Sequence, residues 1–361
     1  MKPKEGMDLK YKDKSGKSIS ISITHTKPLL LTDLEKTKGE KKQPFYLEVS
    51  GTEIEDVTTN KAEGKLLTLS MKMSFHHKPK IFCLVDGGWL PPAFSLSDTY
   101  LVDRNVVSAL KENINKSSRF DYKSTHWWLQ FKPEININPL LYAMEGDKQR
   151  TPDYEEFCSQ FIEASEHIKI KLPQSKQTNY KEIHYKTAYK QLLKLKDKNT
   201  LEIKFLKEAS KSLVNRVSDR NLKAKTTEII DIADSINLER NSLVLVLALA
   251  CIYERKDGSG LLIGRKIINP SKSYSINDAY NCISDLRAIE ILIASKCFDL
   301  DLNVSFLTSD VALAGFWCAL GLKNYSTKNG NPKFSIELNN DLFPRIETEE
   351  SEQLKKLLQL Y

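Results

Sequence analysis

Tyr100-Leu-Val-Asp-Arg-Asn-Val-Val107 is the stretch on which the reading of this chain turns. Residues 99–102 read as a short buried strand, with Asp103 at its carboxyl end. Asn105 follows, and an amphipathic segment starts near Val106. In open α/β sheets, ligands bind outside the carboxyl ends of parallel strands. An Asp buried there is costly to leave alone, so it takes a partner or a cation, or it caps the next helix. What else converges on Asp103 decides between a site acid and a cap.

Working outward, the chain of 361 residues with 40% hydrophobic content is long enough for a large core and for two domains. Six cysteines (Cys83, Cys158, Cys251, Cys282, Cys297 and Cys318) lie among apolar residues with no C-x-x-C pair. That spacing excludes a zinc ribbon and a disulfide framework, and it reads as reduced thiols of a cytoplasmic protein. The first residues lack the apolar stretch of a signal peptide. The longest apolar run, residues 243–253, is short of the ~20 residues of a membrane span and reads as a fully buried core helix. The expectation is therefore no membrane.

Charge is unevenly spread. Residues 168–225 hold 16 Lys+Arg against 5 Asp+Glu, a net of +11, whereas the whole chain carries +7. A basic block of this kind is the footprint of a phosphate-backbone binder, and equally of a solvated helical face. Tyr180, Tyr185 and Tyr189 are interleaved with its lysines. Such rings either stack on bases or form the packed stripe of a surface helix.

Residues 1–97 read as a β-rich N-terminal region. Lys17-Ser-Ile-Ser-Ile-Ser-Ile23 and Leu66-Leu-Thr-Leu-Ser-Met-Lys-Met-Ser-Phe75 alternate as half-buried strands do. Pro44-Phe-Tyr-Leu-Glu-Val49 and Lys80-Ile-Phe-Cys-Leu-Val85 are further strand candidates. Beyond Asp103, Trp127-Trp128 reads as packing residues. Asn138-Pro139 then opens a short helix that ends at Glu145 before Gly146, and Asp153 caps a longer one. A lysine-rich helical insert at about 172–240 follows. Gly258-Ser-Gly260-Leu-Leu-Ile-Gly264 reads as a turn and a short strand, without dinucleotide-loop spacing. Near the end, Phe334-Ser-Ile-Glu-Leu338 is a strand and Thr348 opens a terminal helix.

The second strong signal is the helix that Ser275-Ile-Asn-Asp278 opens as a capping box. Asp278, Asn281 and Asp285 share one stripe of it, opposite the apolar stripe of Ile276, Ala279, Ile283, Leu286 and Ile293. Val304-Ser-Phe-Leu-Thr308 is the next strand. It ends in Ser309-Asp310, so Asp310 stands where Asp103 stands.

This order of acids resembles that of the PIN-domain nucleases: strand–Asp103-x-Asn105, Glu145 after a short helix, Asp285 in a later helix, then strand–Thr308-Ser309-Asp310. The resemblance spans residues 98 to about 340. The chain departs from a minimal PIN domain in its basic insert and in residues 1–97, and Asp147 competes with Glu145 for the second position. The resemblance implies an α/β fold with a PIN-like parallel sheet flanked by helices, the nuclease domain running over 98–361. It implies a metal-dependent (ribo)nuclease that hydrolyses phosphodiester bonds of RNA, in a toxin or defence role among others. Asp103, Glu145, Asp285 and Asp310 would be the catalytic and metal-holding residues. Asn105, Asp278, Asn281 and Ser309 would support them, and Lys181, Lys186, Lys190 and Lys194 would bind nucleic acid.

The residue types suit that chemistry. Clustered carboxylates hold hard cations such as Mg²⁺ or Mn²⁺ through oxygen. The six histidines (His25, His76, His77, His126, His167 and His184) show no zinc-ligand spacing. The alternative is a non-catalytic nucleic-acid-binding or scaffold protein with a PIN-like fold. A phosphatase for small substrates is a third reading, which the basic insert disfavours. Residues 1–97 would serve a homo-oligomer contact or a regulatory partner.

Overall fold

A computed structural model describes residues 7–12, 18–37, 45–53, 66–73, 81–111, 135–146, 148–178, 180–298, 303–338 and 340–360. Trp127-Trp128 and Asp147 lie outside these residues. The chain opens with β1 (Met7–Lys12), β2 (Ser18–Thr26), α1 (Leu31–Lys36), β3 (Phe45–Glu53) and β4 (Leu66–Met73). The four strands form one antiparallel sheet in sequence order. Alternation in β2 and β3 sends Ile21, Ile23, Leu47 and Val49 to the buried face. Gly51 is required here: a Cβ on it would stand 2.1 Å from the Ser22 carbonyl oxygen.

The larger sheet begins with β5 (Phe82–Val85) and β6 (Gly88–Leu90), an antiparallel pair, and β7 (Thr99–Val102). Helix α2 (Arg104–Lys111), β8 (Asn136–Asn138), α3 (Leu140–Glu145), α4 (Tyr154–Lys171) and β9 (Lys176–Gln177) follow. The basic region then folds into α5 (Glu182–Lys194), α6 (Lys196–Leu213) and α7 (Leu222–Ser235). Next come α8 (Leu243–Ile252), α9 (Ile263–Ile268), α10 (Ile276–Phe298), β10 (Val304–Thr308), α11 (Val311–Ala319), the hairpin β11 (Lys323–Lys328) and β12 (Asn331–Ser335), and α12 (Thr348–Leu357).

The six strands lie in the order β6-β5-β10-β7-β8-β9. Strands β10, β7, β8 and β9 run parallel, so their carboxyl ends share one edge. β5 runs against β10. The fold is thus mixed α/β, with parallel pairs flanked by helices. β10 is buried at all five positions and β7 at three of four, as parallel strands covered on both faces must be.

Several expectations need correction. The boundary expected at residue 97 falls inside one sheet, because β5 and β6 precede it and pair into the same layer as β7 and β10. Leu29 and Trp89 exchange backbone hydrogen bonds at 2.8 and 3.0 Å, which ties the first sheet's chain to the second. Residues 176–177, expected as helix, form edge strand β9. The strand expected at 261–263 instead leads into helix α9. There a Cβ on Gly264 would stand 2.7 Å from the Leu247 carbonyl oxygen, so glycine is what lets α9 cross α8 closely. The strand expected at 334–338 ends at Ser335 and starts earlier. By contrast, α8 is buried along its whole length, as its unbroken apolar run requires. All six cysteines are free. Among the described residues no helix is long and apolar enough to cross a membrane.

Candidate functional site: an acidic cluster at the carboxyl edge

β7 and β10 pair so that Val102 lies level with Leu307, and the Asp103 amide donates to the Leu307 carbonyl at 2.9 Å. The next side chains therefore meet above the edge. Thr308 Oγ1 donates to Asp103 Oδ2 at 2.7 Å and accepts the Asp310 amide at 3.0 Å. One hydroxyl thus links the two strand-end acids. Asp103 is 6% exposed and heads α2, its carbonyl accepting from Val106 and Val107. Asn105, exposed on the first turn, and the Arg104 backbone amide both draw the Asp103 carboxyl down.

β8 delivers the third acid. The Asn138 Oδ1 accepts from the Leu140 amide at 3.0 Å and starts α3, whose last residue is Glu145. Helix α10 delivers the fourth, Asp285, from its middle. Glu145, Asp285 and Asp310 are each half-buried.

These carboxyls act on one another. Burial, reinforced by Asp310, pushes Asp103 up to about 6, against the pull of Thr308 and the two amides. Burial and then Asp103 push Glu145 up to about 7, while Arg104 and Arg287 pull it back. Burial and then Asp103, Asp310 and Glu145 hold Asp285 well above the usual carboxylate range. Each of the four lies within electrostatic reach of another. Like charges sharing a low-dielectric site disfavour joint ionisation. Among the described residues, no Lys or Arg ion-pairs with any of the four.

The donor set suits a hard cation in kind, being all carboxylate oxygen. Its arrangement is looser: among the described residues, no three His, Cys, Asp or Glu side chains stand together as a metal-holding group. Asp310 shows one reason. Its Oδ1 caps α11, accepting the amides of Ala312 at 2.6 Å and Leu313 at 2.9 Å.

The supporting residues divide. Asn105 serves Asp103 directly. Ser309 is half-buried in the link between β10 and α11. Asp278 belongs to the capping box: its Oδ2 accepts the Ser275 amide at 2.8 Å and hydroxyl at 2.7 Å, and those bonds hold its carboxyl below the usual range. It shares Asp285's stripe, but seven residues of helix put it about 10 Å away along the axis. Asn281 is exposed. Sequence reading named Thr308 in the motif without giving it a role, and overlooked Tyr280, Arg287 and Arg104. Arg287 carried a faint signal, a cation placed among the apolar residues of α10, where it is 3% exposed.

In the basic region the tyrosines pack. Tyr180 stacks on Phe161 at 4.5 Å, Tyr185 meets the same ring edge-on at 5.2 Å, and Tyr189 lies 5.8 Å from Phe157. They form a second small core with Leu192, so the stripe reading holds for these rings. Lys181, Lys186, Lys190 and Lys194 are all exposed, the last three on one stripe of α5. Lys186 pairs with Glu182 at 2.5 Å.

No family model matches the chain, and neither a curated protein nor a solved structure does.

Proposed function

We propose that the protein is a divalent-metal-dependent nuclease acting on RNA, with a PIN-like arrangement of acids. One observation carries the reading: Asp103, Glu145, Asp285 and Asp310 reach one another's electrostatic range from four separate elements, with no Lys or Arg among the described residues ion-paired to them. A fold gains nothing in stability from such a cluster, because buried like charges cost free energy. A bound Mg²⁺ or Mn²⁺ would neutralise it, offset phosphate charge and lower the pKa of water beside the scissile bond. Asp103, Glu145 and Asp285 would hold the ion, with the second oxygen of Asp310. Thr308 and Asn105 keep Asp103 turned into the site.

The placement of α5 supports a polyanionic substrate. It follows β9, whose carboxyl end lies on the edge that bears Asp103 and Asp310. Its exposed lysines offer charge to a backbone without reading sequence. One observation favours the non-catalytic alternative, a nucleic-acid-binding protein of the same fold: among the described residues no three acids stand together as a metal-holding group.

A cleavage assay separates the two. Wild-type protein should cut single-stranded or structured RNA with Mn²⁺ or Mg²⁺ and stop in chelator. Asp103→Asn should cut more than about 100-fold slower, since loss of a direct ligand exceeds the 10–100-fold typical of outer-shell changes. Its melting temperature should hold or rise. Cleavage in chelator, or by Asp103→Asn at the wild-type rate, defeats the nuclease reading. RNA binding without cleavage in any metal favours the alternative.

A further inference from the structure

The carbonyls around Glu145 are held in an unusual way. α3 has only six residues, too few to be stable alone, and its last carbonyls lack partners within the helix. Three consecutive ones each take a side-chain donor from elsewhere. Arg287 Nη1 donates to Met144 O at 2.9 Å, Tyr280 Oη to Glu145 O at 2.6 Å, and Arg104 Nη1 to Gly146 O at 2.6 Å. Gly146 sits at φ 73, a conformation that suits glycine and turns its carbonyl out of the helix. Arg104 also lies over the Tyr142 ring at 4.6 Å.

The donors come from the elements that carry the other acids. Arg104 is the residue after Asp103. Tyr280 and Arg287 are seven residues apart on α10, on one stripe of the same helix that carries Asp285 on another face. Arg287 is itself anchored: with the Asn199 amide turned to satisfy its neighbours, the Asn199 oxygen accepts from Arg287 Nη2 at 2.9 Å.

We infer that Tyr280, Arg287 and Arg104 are positioning residues, which fix Glu145 in register with Asp103 and Asp285 by gripping three successive carbonyls of its chain. The inference rests on the reading of the acids as a cation site. It differs from simple helix capping in its consequence. A cap holds α3 together, whereas a clamp sets the spacing of acids drawn from three elements, and so it acts on cation affinity through Glu145.

The test uses the full chain with Tyr280→Phe, Arg287→Lys and Glu145→Gln, and Tyr280→Phe combined with Glu145→Gln. Mn²⁺ binding is followed by calorimetry and the amides of residues 143–146 by hydrogen exchange. Tyr280→Phe removes one hydroxyl, and Arg287→Lys keeps the charge but loses the fork. Each should weaken Mn²⁺ binding about 10-fold, the scale of outer-shell changes, and speed exchange at residues 143–146. In the Glu145→Gln background, Tyr280→Phe should add almost nothing. Unchanged Mn²⁺ affinity in both single variants, or losses that multiply fully in the double variant, overturns the clamp. Wild-type protein that takes up no Mn²⁺ overturns the cation reading instead. Exchange then decides the clamp alone, and unchanged protection of residues 143–146 in Tyr280→Phe removes it.

Discussion

Helix α10 contributes one half-buried acid, Asp285 or Glu290, to each of two carboxylate groups, and the fold treats the groups differently. At Glu290, Lys198 reaches across from α6 and makes a short hydrogen bond to its Oε1, and Lys198 also lies 3.8 Å from Glu202. Ser242 donates to the same Glu202 carboxylate at 3.1 Å. Burial and then Glu290 still push Glu202 up to about 7, because one lysine serves two carboxylates. Burial draws Lys198 down, but Glu290 and Glu202 outweigh it and hold it above its ordinary value. Just over one turn earlier on the same helix, Asp285 faces Asp103, Glu145 and Asp310, with no ion-pairing Lys or Arg among the described residues. One group has a lysine of the protein ion-paired within it; the other, among the described residues, has none, with only Arg104 and Arg287 acting on Glu145 from a distance. The difference separates a structural polar network from a candidate site better than burial does, since both groups are buried.

The sharpest way to break this contrast is to change one charge in each group. Lys198→Met should destabilise by about 1–3 kcal/mol, below the value for a fully buried pair because the lysine side chain is 35% exposed. Asp285→Asn should leave the metal-free protein as stable or make it more so, since it removes a charge that only repels. Thermal melts of the two variants check this, and equal losses in both would erase the distinction.

A second measurement follows the sign of the shifts. Asp103 and Glu145 have folded values of about 6 and about 7, above their ordinary 3.8 and 4.5. A carboxyl raised on folding binds its proton more tightly in the folded state. The stability it contributes is complete below its unfolded value and is lost as pH rises through the folded one. The metal-free protein should therefore lose stability between about pH 4 and 8, with roughly 3 kcal/mol from Asp103 in all, most of it between about pH 4 and 7, at 1.36 kcal/mol per unit. Added Mn²⁺ should offset the loss increasingly toward pH 8, and Asp103→Asn should flatten the profile. A metal-free melting temperature that rises steadily across this window contradicts the uncompensated cluster.

The smallest expected effect concerns the basic face. Reversing Lys186, Lys190 and Lys194 to Glu should weaken RNA binding and lower the salt slope by about 2, at ~0.7 per phosphate contact on a single strand. Melts and Mn²⁺ affinity should stay as in wild type. An unchanged slope would make this stripe of α5 a solvated face only.

Local chemistry made part of the molecule legible in the linear chain. Asp103 and Asp310 were readable because an apolar strand that stops at an acid is a short-range pattern. The unbroken run of α8, the Asp153 cap and the Ser275–Asp278 box were readable for the same reason: each is settled within four residues or one helix. What the chain could not display was who neutralises whom. Asp278 and Asp285 share a stripe, yet packing sends one to a cap and the other to Asp103. Lys198 counts toward the basic block but is spent between two glutamates. Tyr180, Tyr185 and Tyr189 suited bases or a core, and the Phe157 and Phe161 rings across from them decided it. β9 and the mostly polar β11 carry little apolar periodicity, so only a neighbouring strand makes them strands. Periodicity and capping are properties of a segment, whereas compensation of charge and pairing of edges belong to contacts between segments, and those exist only once the chain has folded.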